Sequence, residues 1–297
     1  MRTFVVMTSV RFFCGFGKKL YFCRNLFVMS KIQITEDGSH TLFSEMAGQT
    51  YHSLHGAVQE SRHIFISQLM GQRSIVNGQR SGMNGVLSIL EIGFGTGLNA
   101  LLTAQWAREN GVRVEYTTIE LYPLGSEVYC GLNYGCLLGD EELFLRLHEA
   151  EWDVGFVPVV ENFAIRKCKS DIVEWVENNS QFIIHNSQLL DQSDLSDQSD
   201  SCFNSQLFIA KGSKTFGSTF NTQYDVVYFD AFSPDAQPEL WSEEVFRNVY
   251  ELMKVGGVLT TYCAKGDVRR AMIAAGFRVE KLAGPPGKRH ILRAGKI

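Results

Sequence analysis

Three glycines, Gly93, Gly95 and Gly97, stand at alternate positions directly after an apolar run, and a helical pattern begins straight after them. Glycine permits positive φ and a close approach of the backbone to a ligand. The first amides of a helix have no partner within that helix and can point at a bound group. The pattern therefore predicts a nucleoside-binding turn between a strand and a helix, with a tight turn that binds nothing as the alternative.

Glu120 ends the β-branched and aromatic run 113–120, 27 residues after Gly93. In nucleotide-binding half-domains, an acid at the tip of the second strand accepts hydrogen bonds from a ribose diol. A solvated acid at a strand end is the alternative. The spacing from the glycine loop favours the ribose-binding interpretation.

Two aspartates follow later predicted strands. Asp171 comes after the alternating run 163–168, where it can cap the following helix or face a ligand at the carboxyl edge of the sheet, and the two roles are compatible. Asp230 ends the apolar run 224–230 and precedes a loop containing prolines and aromatic residues. Loops of this kind over a sheet edge often carry chemistry.

The residue types narrow the ligand class. The glycine loop has no lysine, so a triphosphate is not favoured, and its Gly-x-Gly-x-Gly spacing differs from the dinucleotide pattern. Several acids suit an uncharged or cationic group, and S-adenosylmethionine has that character. Methyl transfer from it depends above all on alignment. With an amine as acceptor, Asp230 could orient the nitrogen and take its proton.

The composition, 45% apolar and 20% charged with a net charge of −4, indicates a globular protein without a global nucleic-acid signature. Seven scattered cysteines show no Cys-x-x-Cys spacing, which predicts free thiols, a reducing compartment and a cytoplasmic location. No apolar run is long enough to span a membrane, so no membrane partner is expected. His52, His55 and His63 lack the further ligands of a metal site, so no metal is expected.

Strand-like and helix-like runs alternate along the chain, which predicts an α/β fold with a doubly wound sheet. A short Gly/Pro turn joins the last two strands, so these should pair antiparallel. A helix is expected at 55–69. The other predicted strands lie at 86–93, 113–120, 163–168, 224–230, 258–262, 277–282 and 290–293, with helices at 97–110, 126–134, 140–149, 172–178, 242–253 and 265–275.

The chain should form a single domain over residues 31–297. Residues 1–30 are basic and aromatic and are interpreted as a leader, disordered or preceding a true start at Met29. Residues 185–222 include a nearly repeating Asp/Gln/Ser tract with few apolar side chains. Such a segment cannot bury enough surface to offset its ordering entropy, so it is predicted to be a flexible insertion, with a strand possible at 206–210.

Taken together, the motifs resemble a known family. Residues 91–99 (EIGFGTGLN), 229–234 (FDAFSP), 238–241 (PELW) and 284–289 (GPPGKR) are similar to those of the methyltransferases that make 5-methylaminomethyluridine at the tRNA wobble position. The front end around Tyr51 resembles their stand-alone form. The resemblance implies a class I S-adenosylmethionine-dependent methyltransferase fold, Rossmann-like and mostly parallel with an antiparallel last strand. It also implies that the acceptor is the aminomethyl group of 5-aminomethyl-2-thiouridine.

The resemblance also assigns roles to individual residues. Asp230 would be the catalytic carboxylate, Glu120 would hold the ribose and Asp171 the adenine amino group. The remaining cofactor residues would be Tyr51, Gly93, Phe94, Gly95, Gly97 and Asn99. Phe232 and Pro234 would shape the acceptor pocket, while Lys288 and Arg289, with Arg269 and Arg270, would contact tRNA phosphates or else form a solvated charged face.

The sequence differs from the family in two respects, and two other functions are possible alternatives. The bifunctional relatives carry a flavin-dependent oxidase domain that this chain has no room for, so its substrate is expected to be made elsewhere. The 185–222 insertion is unusual for the family. A polyamine aminopropyltransferase would share the glycine loop, the ribose acid and Asp230, although the loop 234–241 and the GPPGKR turn argue against it. A non-catalytic cofactor- or RNA-binding module is the second alternative.

Overall fold

The central element is an eight-stranded sheet. It is seen in a computed structural model that describes residues 31–71, 85–193 and 223–297. The strands of this sheet are β4 (Val86–Ile92), β5 (Arg113–Ile119), β6 (Val157–Val160), β7 (Phe163–Cys168), β8 (Tyr224–Phe229), β9 (Met253–Thr261), β10 (Arg278–Ala283) and β11 (His290–Gly295). Their order across the sheet is β10-β11-β9-β8-β4-β5-β7-β6. The predicted doubly wound α/β fold is confirmed.

The five strands at the centre of this sheet, β9, β8, β4, β5 and β7, run parallel. Strand β8 is buried along its whole length, and β4 is buried from its second residue, as expected for strands covered by helices on both faces. The chain leaves β4 toward β5 on one side and returns through β8 on the other. The crevice between β4 and β8 is thus the switch point where such folds bind ligands.

The edges of the sheet are antiparallel. Strands β10 and β11 pair antiparallel, as predicted from the short turn between them. Strand β6 is absent from the sequence prediction, because its four residues include Pro158 and show no clear alternation. Strand β9 begins at Met253 rather than at 258, and its pairing with β8 contains a register shift. The Gly256-Gly257 pair, which in the sequence indicates a turn, lies inside this irregular strand.

Helices cover both faces of the sheet. They are α3 (Leu98–Asn110), α4 (Ser126–Tyr129), α5 (Tyr134–Leu138), α6 (Glu141–Glu149), α7 (Ile172–Ser193), α8 (Glu243–Glu251) and α9 (Gly266–Ala274), with a 3-10 turn at Pro238–Trp241. The helix predicted at 126–134 is broken in two. Asn133 lies at the break, where its side chain donates to the Gly38 carbonyl and accepts from the amide of His40. The sequence around Asn133 does not indicate this contact, because Gly38 and His40 are far from it along the chain.

Helix α7 continues to Ser193, well past the predicted end at 178. The first part of the predicted insertion, residues 185–193, is therefore helical. The rest of that insertion, including the strand considered at 206–210, lies outside the described residues. The leader proposed for residues 1–30 also lies outside them.

The front end forms a small layer of its own. A three-stranded antiparallel sheet contains β1 (Lys31–Ile34), β2 (His40–Ser44) and β3 (Gln49–Thr50). The predicted helix is present as α1 (Ala57–Ser61), a π-helical segment (Arg62–Ile66) and α2 (Ser67–Gly71). Ile64 and Phe65 are buried in the main core, and the Thr260 hydroxyl donates to the Ile64 carbonyl at 2.8 Å. The front end is thereby held against the carboxyl edge of the sheet.

Candidate functional site

A cavity of about 650 Å³ lies where the carboxyl ends of the parallel strands meet the front end. Ten of the predicted site residues line it, namely Tyr51, Gly93, Phe94, Gly95, Asn99, Glu120, Asp171, Asp230, Phe232 and Lys288. Gly97, Pro234 and Arg289 are not among the lining residues. The fold thus brings together side chains that are more than 200 residues apart in sequence.

All three loop glycines have positive φ, with values of 92° at Gly93, 49° at Gly95 and 73° at Gly97. A Cβ at Gly93 would lie 3.0 Å from the Asp230 carbonyl oxygen, and one at Gly95 would lie 3.1 Å from the Tyr51 ring. Glycine is therefore required both by the backbone and by close neighbours. The backbone of the loop lines the cavity directly, because Gly93 and Gly95 have no side chain.

Gly97 contributes by packing the loop rather than by lining the cavity. A Cβ there would lie 2.8 Å from His148 Nε2 and 3.1 Å from Phe94 Cζ. Gly97→Ala is expected to lower the free energy of unfolding by about 2 kcal/mol or more and to weaken S-adenosylmethionine binding, because it adds a clash to left-handed strain. Denaturant unfolding and calorimetry measure the two effects.

Gly111→Ala is the matched control for this substitution. Gly111 has φ 64°, and a Cβ added there would meet nothing within 4 Å. In this variant the free energy of unfolding should fall only by the cost of left-handed strain, about 1 kcal/mol. Its cofactor affinity should be unchanged. Equal losses of stability in the two variants would contradict a packing role for Gly97.

Glu120 connects the glycine loop to the next strand. Its Oε2 accepts the Gly95 amide at 3.1 Å, and its Oε1 accepts the Tyr122 amide at 2.9 Å. Burial raises the pKa of Glu120, while these backbone donors act in the opposite direction. Each carboxylate oxygen has a further acceptor position and Glu120 lines the cavity, as binding of a ribose diol requires. That role remains a prediction.

Asp171 occupies the start of α7. Its Oδ1 accepts the Glu174 amide at 3.1 Å, which is a helix cap, and the residue also lines the cavity. The capping role is therefore observed. A contact with an adenine amino group is compatible with it and remains a prediction.

Asp230 lies at the end of β8, and its Oδ2 accepts a hydrogen bond from Asn99 Nδ2 at 2.8 Å. Burial, with a further contribution from the charge of Glu60, raises its pKa to about 7. A carboxyl group with this pKa exchanges protons close to neutral pH. That property suits a general base.

Lys288 does not form part of a solvated face. It lies in the cavity wall, makes an ion pair with the buried Glu60, and sits 4.4 Å from the centre of the Tyr262 ring. The Ser53 amide donates a hydrogen bond to the other carboxylate oxygen of Glu60 at 2.8 Å. The sequence analysis missed Glu60 and Tyr262, since only the fold brings the front end against the GPPGKR turn.

The other basic residues expected at tRNA phosphates lie outside the cavity wall. Arg270 pairs with Asp267 in the exposed first turn of α9, and Arg269 is on the same helix. Arg289 is exposed beside Lys288. Their contact with phosphates remains a prediction.

The front end closes the cavity through aromatic and polar contacts. The Tyr51 ring meets the Phe232 ring edge-on at 4.9 Å, and the Trp241 indole donates to the Phe232 carbonyl at 2.8 Å. Burial, with Glu120 nearby, raises the pKa of Tyr51 to about 12, so its hydroxyl stays neutral. His52 Nε2 hydrogen-bonds the Thr96 hydroxyl at 2.7 Å, and burial lowers its pKa to about 4. The loop 231–241 and the glycine loop are both anchored to the front end.

The other two histidines of the front-end trio also have partners. His55 pairs with Glu36, and His63 Nε2 hydrogen-bonds the Ala283 carbonyl at 2.8 Å. Within 31–71, 85–193 and 223–297, no three His, Cys, Asp or Glu side chains are arranged to hold a metal ion. None of the helices in these ranges is long and apolar enough to cross a membrane.

Comparisons with known proteins agree with this geometry. Residues 197–297 match a family described as S-adenosyl-L-methionine-dependent methyltransferase. The tRNA 5-methylaminomethyl-2-thiouridine biosynthesis bifunctional protein of Psychrobacter sp. is 28% identical over 291 residues, covering 90% of this chain and 37% of that relative. The protein of the same name from Cupriavidus metallidurans is 29% identical over 262 residues, covering 86% and 32%. The chain thus spans about a third of the length of these relatives.

A solved structure shares the fold. MNMC2 from Aquifex aeolicus superposes with a TM-score of 0.58 at 22% identity, covering 90% of this chain and 70% of that one. These findings favour a methyltransferase over the aminopropyltransferase alternative, and they imply S-adenosylmethionine as the cofactor. The chain therefore shares the fold of MNMC2 from Aquifex aeolicus, and its sequence is similar to about a third of the length of the tRNA 5-methylaminomethyl-2-thiouridine biosynthesis bifunctional proteins.

Proposed function

We propose that this chain methylates the exocyclic amine of 5-aminomethyl-(2-thio)uridine at the wobble position of tRNA. The observation that carries the proposal is a half-buried carboxyl, Asp230, which has a pKa of about 7 and lines the same cavity as the glycine loop. The relatives named for 5-methylaminomethyl-2-thiouridine biosynthesis support the choice of acceptor. We place the reaction in the cytoplasm, which agrees with the free thiols of Cys130, Cys136, Cys168 and Cys263.

The residues present fit S-adenosylmethionine. The glycine loop lines the cavity at Gly93 and Gly95 without a side chain of its own, and Glu120 lines the same cavity with acceptor capacity for a ribose. Asp171 and Asp230 add carboxylates to the wall, which suit a cationic ligand better than a phosphate. When bound, the cofactor supplies an electrophilic methyl group on a sulfonium. Tyr51, which covers Gly95, closes the site from the front end.

The main task of the protein groups is to prepare the acceptor amine. A primary amine is mostly protonated at neutral pH and must lose a proton before its lone pair can attack. Asp230 can take that proton, because its pKa of about 7 leaves a large ionised fraction at neutral pH. Phe232 and Tyr262 bring apolar surface to the same wall, which helps to keep water from the reacting groups.

Burial has the largest effect on the pKa of Asp230, and the Glu60–Lys288 pair adjusts that pKa through two charges of opposite sign. The charge of Glu60 raises the pKa of Asp230, whereas the charge of Lys288 lowers it. Activity should rise with pH as Asp230 ionises. In Glu60→Gln the acidic limb of the kcat/KM profile is expected to move down by about one pH unit, and in Lys288→Met it should move up by a similar amount. Methyl transfer to tRNA, followed from pH 5 to pH 9, measures both shifts.

Melting curves at each pH control for stability, because breaking a buried ion pair costs about 3 kcal/mol or more. Asp235→Asn is the neutral comparison, since Asp235 pairs with Lys265 at an exposed position. Shifts of the same sign in Glu60→Gln and Lys288→Met would rule out this electrostatic account.

The function itself is tested with purified protein, S-adenosylmethionine and tRNA that carries 5-aminomethyl-2-thiouridine. Mass spectrometry of the digested nucleosides should show 5-methylaminomethyl-2-thiouridine, with no product when putrescine and decarboxylated S-adenosylmethionine are supplied instead. Product on putrescine would establish an aminopropyltransferase. Absence of product from both substrates, with cofactor binding retained, would favour a binding module.

A further inference from the structure

Behind Asp230 lies a row of buried polar groups that the proposed reaction does not yet use. Glu91, at the end of β4, is fully buried, and Asn99, in the first turn of α3, is almost so. Asn99 Nδ2 donates to Asp230 Oδ2, and the Thr118 hydroxyl donates to Glu91 Oε2 at 2.7 Å. The Asn99 side chain also lies beside the Glu91 carboxyl. Asn99 therefore stands between two carboxyl groups.

Two acceptor atoms in this row have no hydrogen-bond partner. They are Asn99 Oδ1 and Glu91 Oε1, and both are buried. Leaving buried acceptors without a hydrogen-bond partner destabilises the folded state. The Tyr116 hydroxyl, which faces Glu91, also has no partner among the described residues and can donate to the Glu91 carboxyl. A proton on that carboxyl would in addition provide a donor for Asn99 Oδ1.

The Asn99 amide nitrogen has two N–H donors, so it can donate to Glu91 as well as to Asp230. Neither of these donors satisfies Asn99 Oδ1, which needs a hydrogen from another group. The Glu91 carboxyl lies beside the Asn99 side chain and can supply that hydrogen when it is protonated.

We propose that Glu91, Asn99 and Asp230 form a one-proton unit in which neutral Glu91 is a positioning residue. Its O–H fixes the Asn99 amide, and the amide holds Asp230 ionised with Oδ1 free for the acceptor amine. The mechanistic part of this proposal rests on the proposed methylation. The presence of the shared proton does not depend on it.

The surroundings of the unit favour a neutral Glu91. The titratable groups that face it within the described residues are Tyr116 on β5 and Tyr228 and Asp230 on β8. Neither tyrosine ionises near neutral pH, because burial raises both pKa values. Burial raises the pKa of Glu91 to about 8. Asp230 differs from Glu91 because a cation, Lys288, faces it as well as the carboxylate of Glu60, and the charge of Lys288 lowers its pKa. Its neighbour Tyr262 stays neutral, because burial raises the pKa of that hydroxyl.

The proton balance of the reaction follows from this arrangement. An N–H bond of the acceptor ammonium breaks, and its proton moves to Asp230 Oδ1. The nitrogen lone pair then forms the new N–C bond as the methyl–sulfur bond breaks, with the electron pair of that bond remaining on sulfur. Glu91 keeps its own proton throughout, so the two carboxyl groups pass from one negative charge to none. Asp230 then releases its proton to solvent.

The proton on Glu91 can be detected without any substrate. Infrared spectra of the protein at pH 7 are expected to show the C=O stretch of protonated carboxyl groups, and the contribution of Asp230, whose pKa is about 7, is identified from its loss in Asp230→Asn. The remaining intensity should be lost in Glu91→Gln, where the glutamine amide can donate to Asn99 and accept from Thr118. Glu115→Gln, a half-exposed acid on β5, should leave the band unchanged. An identical band in Glu91→Gln and wild type would overturn the assignment.

The stability of the protein against pH gives a second readout. A carboxyl whose pKa is raised by folding, from 4.5 to about 8 for Glu91, binds its proton more tightly in the folded state. Its contribution is complete below pH 4.5 and is lost as pH rises toward 8. The free energy of unfolding of Glu91→Gln relative to wild type should therefore increase with pH over this range. Parallel curves would contradict the one-proton unit.

Kinetics test the positioning role. Glu91→Leu should lower kcat at pH 7 by about 100-fold, and Glu91→Gln should restore most of it and remove the decline expected in wild type above pH 8. Melting curves and cofactor affinity verify that each variant is folded. A Glu91→Gln variant as inactive as Glu91→Leu would overturn the positioning role. Wild-type protein that shows the infrared band but no methyl transfer would contradict the proposed function and leave the shared proton standing.

Discussion

Asp230→Asn is expected to lower kcat for methyl transfer to tRNA by about 1,000-fold while S-adenosylmethionine affinity changes less than about threefold. Asparagine has nearly the same shape, and its carbonyl oxygen can still accept from Asn99 Nδ2, so the end of β8 should keep its structure. It cannot take a proton from the acceptor ammonium. The chemical step is lost because the amine keeps the hydrogen that blocks its lone pair.

Single-turnover methylation of tRNA measures the rate, and calorimetry measures the affinity for the cofactor. Asp235→Asn serves as the control, because Asp235 lies in the same loop but is exposed and paired with Lys265. It should retain the wild-type rate within about twofold. Conversion of the aminomethyl group at a normal rate by Asp230→Asn would show that Asp230 is not the base. Loss of cofactor binding in that variant would instead assign it to the cofactor site.

Glu120→Ala should weaken S-adenosylmethionine binding by about 100-fold, the largest effect that we expect on cofactor affinity. The substitution removes the acceptors proposed for the ribose diol, and charge-assisted hydrogen bonds contribute about 1.5–3 kcal/mol each. It also releases the amides of Gly95 and Tyr122, which Glu120 holds in place. The glycine loop would then lose both its ligand partner and its anchor.

Isothermal titration with S-adenosylmethionine measures this loss directly. Glu115→Ala, on the same strand but outside the cavity wall, is the matched control and should bind as wild type. At saturating cofactor, Glu120→Ala should recover most of its kcat, because its defect lies in binding. An unchanged affinity in Glu120→Ala would leave Glu120 as a purely structural anchor of the loop.

Local sequence patterns were enough to predict the strands and the helix that carry the glycine loop and Glu120. The strand before the glycine loop, the helix after it and the strand ending at Glu120 all occur where the sequence predicts them, within one or two residues. Glycine spacing and alternation of apolar residues are short-range properties of the backbone. The same holds for the antiparallel last pair of strands, because a short turn leaves no other pairing.

Elements with mixed or weak local signals were predicted less well. Strand β6 contains a proline, β9 contains a glycine pair, and α7 extends into a polar tract. In the first two cases, pairing with a neighbouring strand outweighs local propensity. In the sequence, Lys288 stands next to Arg289, and two adjacent basic residues are typical of a solvated face. In the structure, Lys288 instead pairs with the buried Glu60.

The sequence by itself determined the class of the sheet, the glycine loop, and the carboxylates that end its strands. These follow from backbone sterics and strand periodicity, which act over a few residues. Only the tertiary structure decided what those carboxylates can do. Glu60 and Lys288 are 228 positions apart, and Asn99 and Asp230 are 131 apart. Their contacts and burial set the protonation of Asp230 and Glu91, because the electrostatic energy of a buried charge depends on every group packed around it.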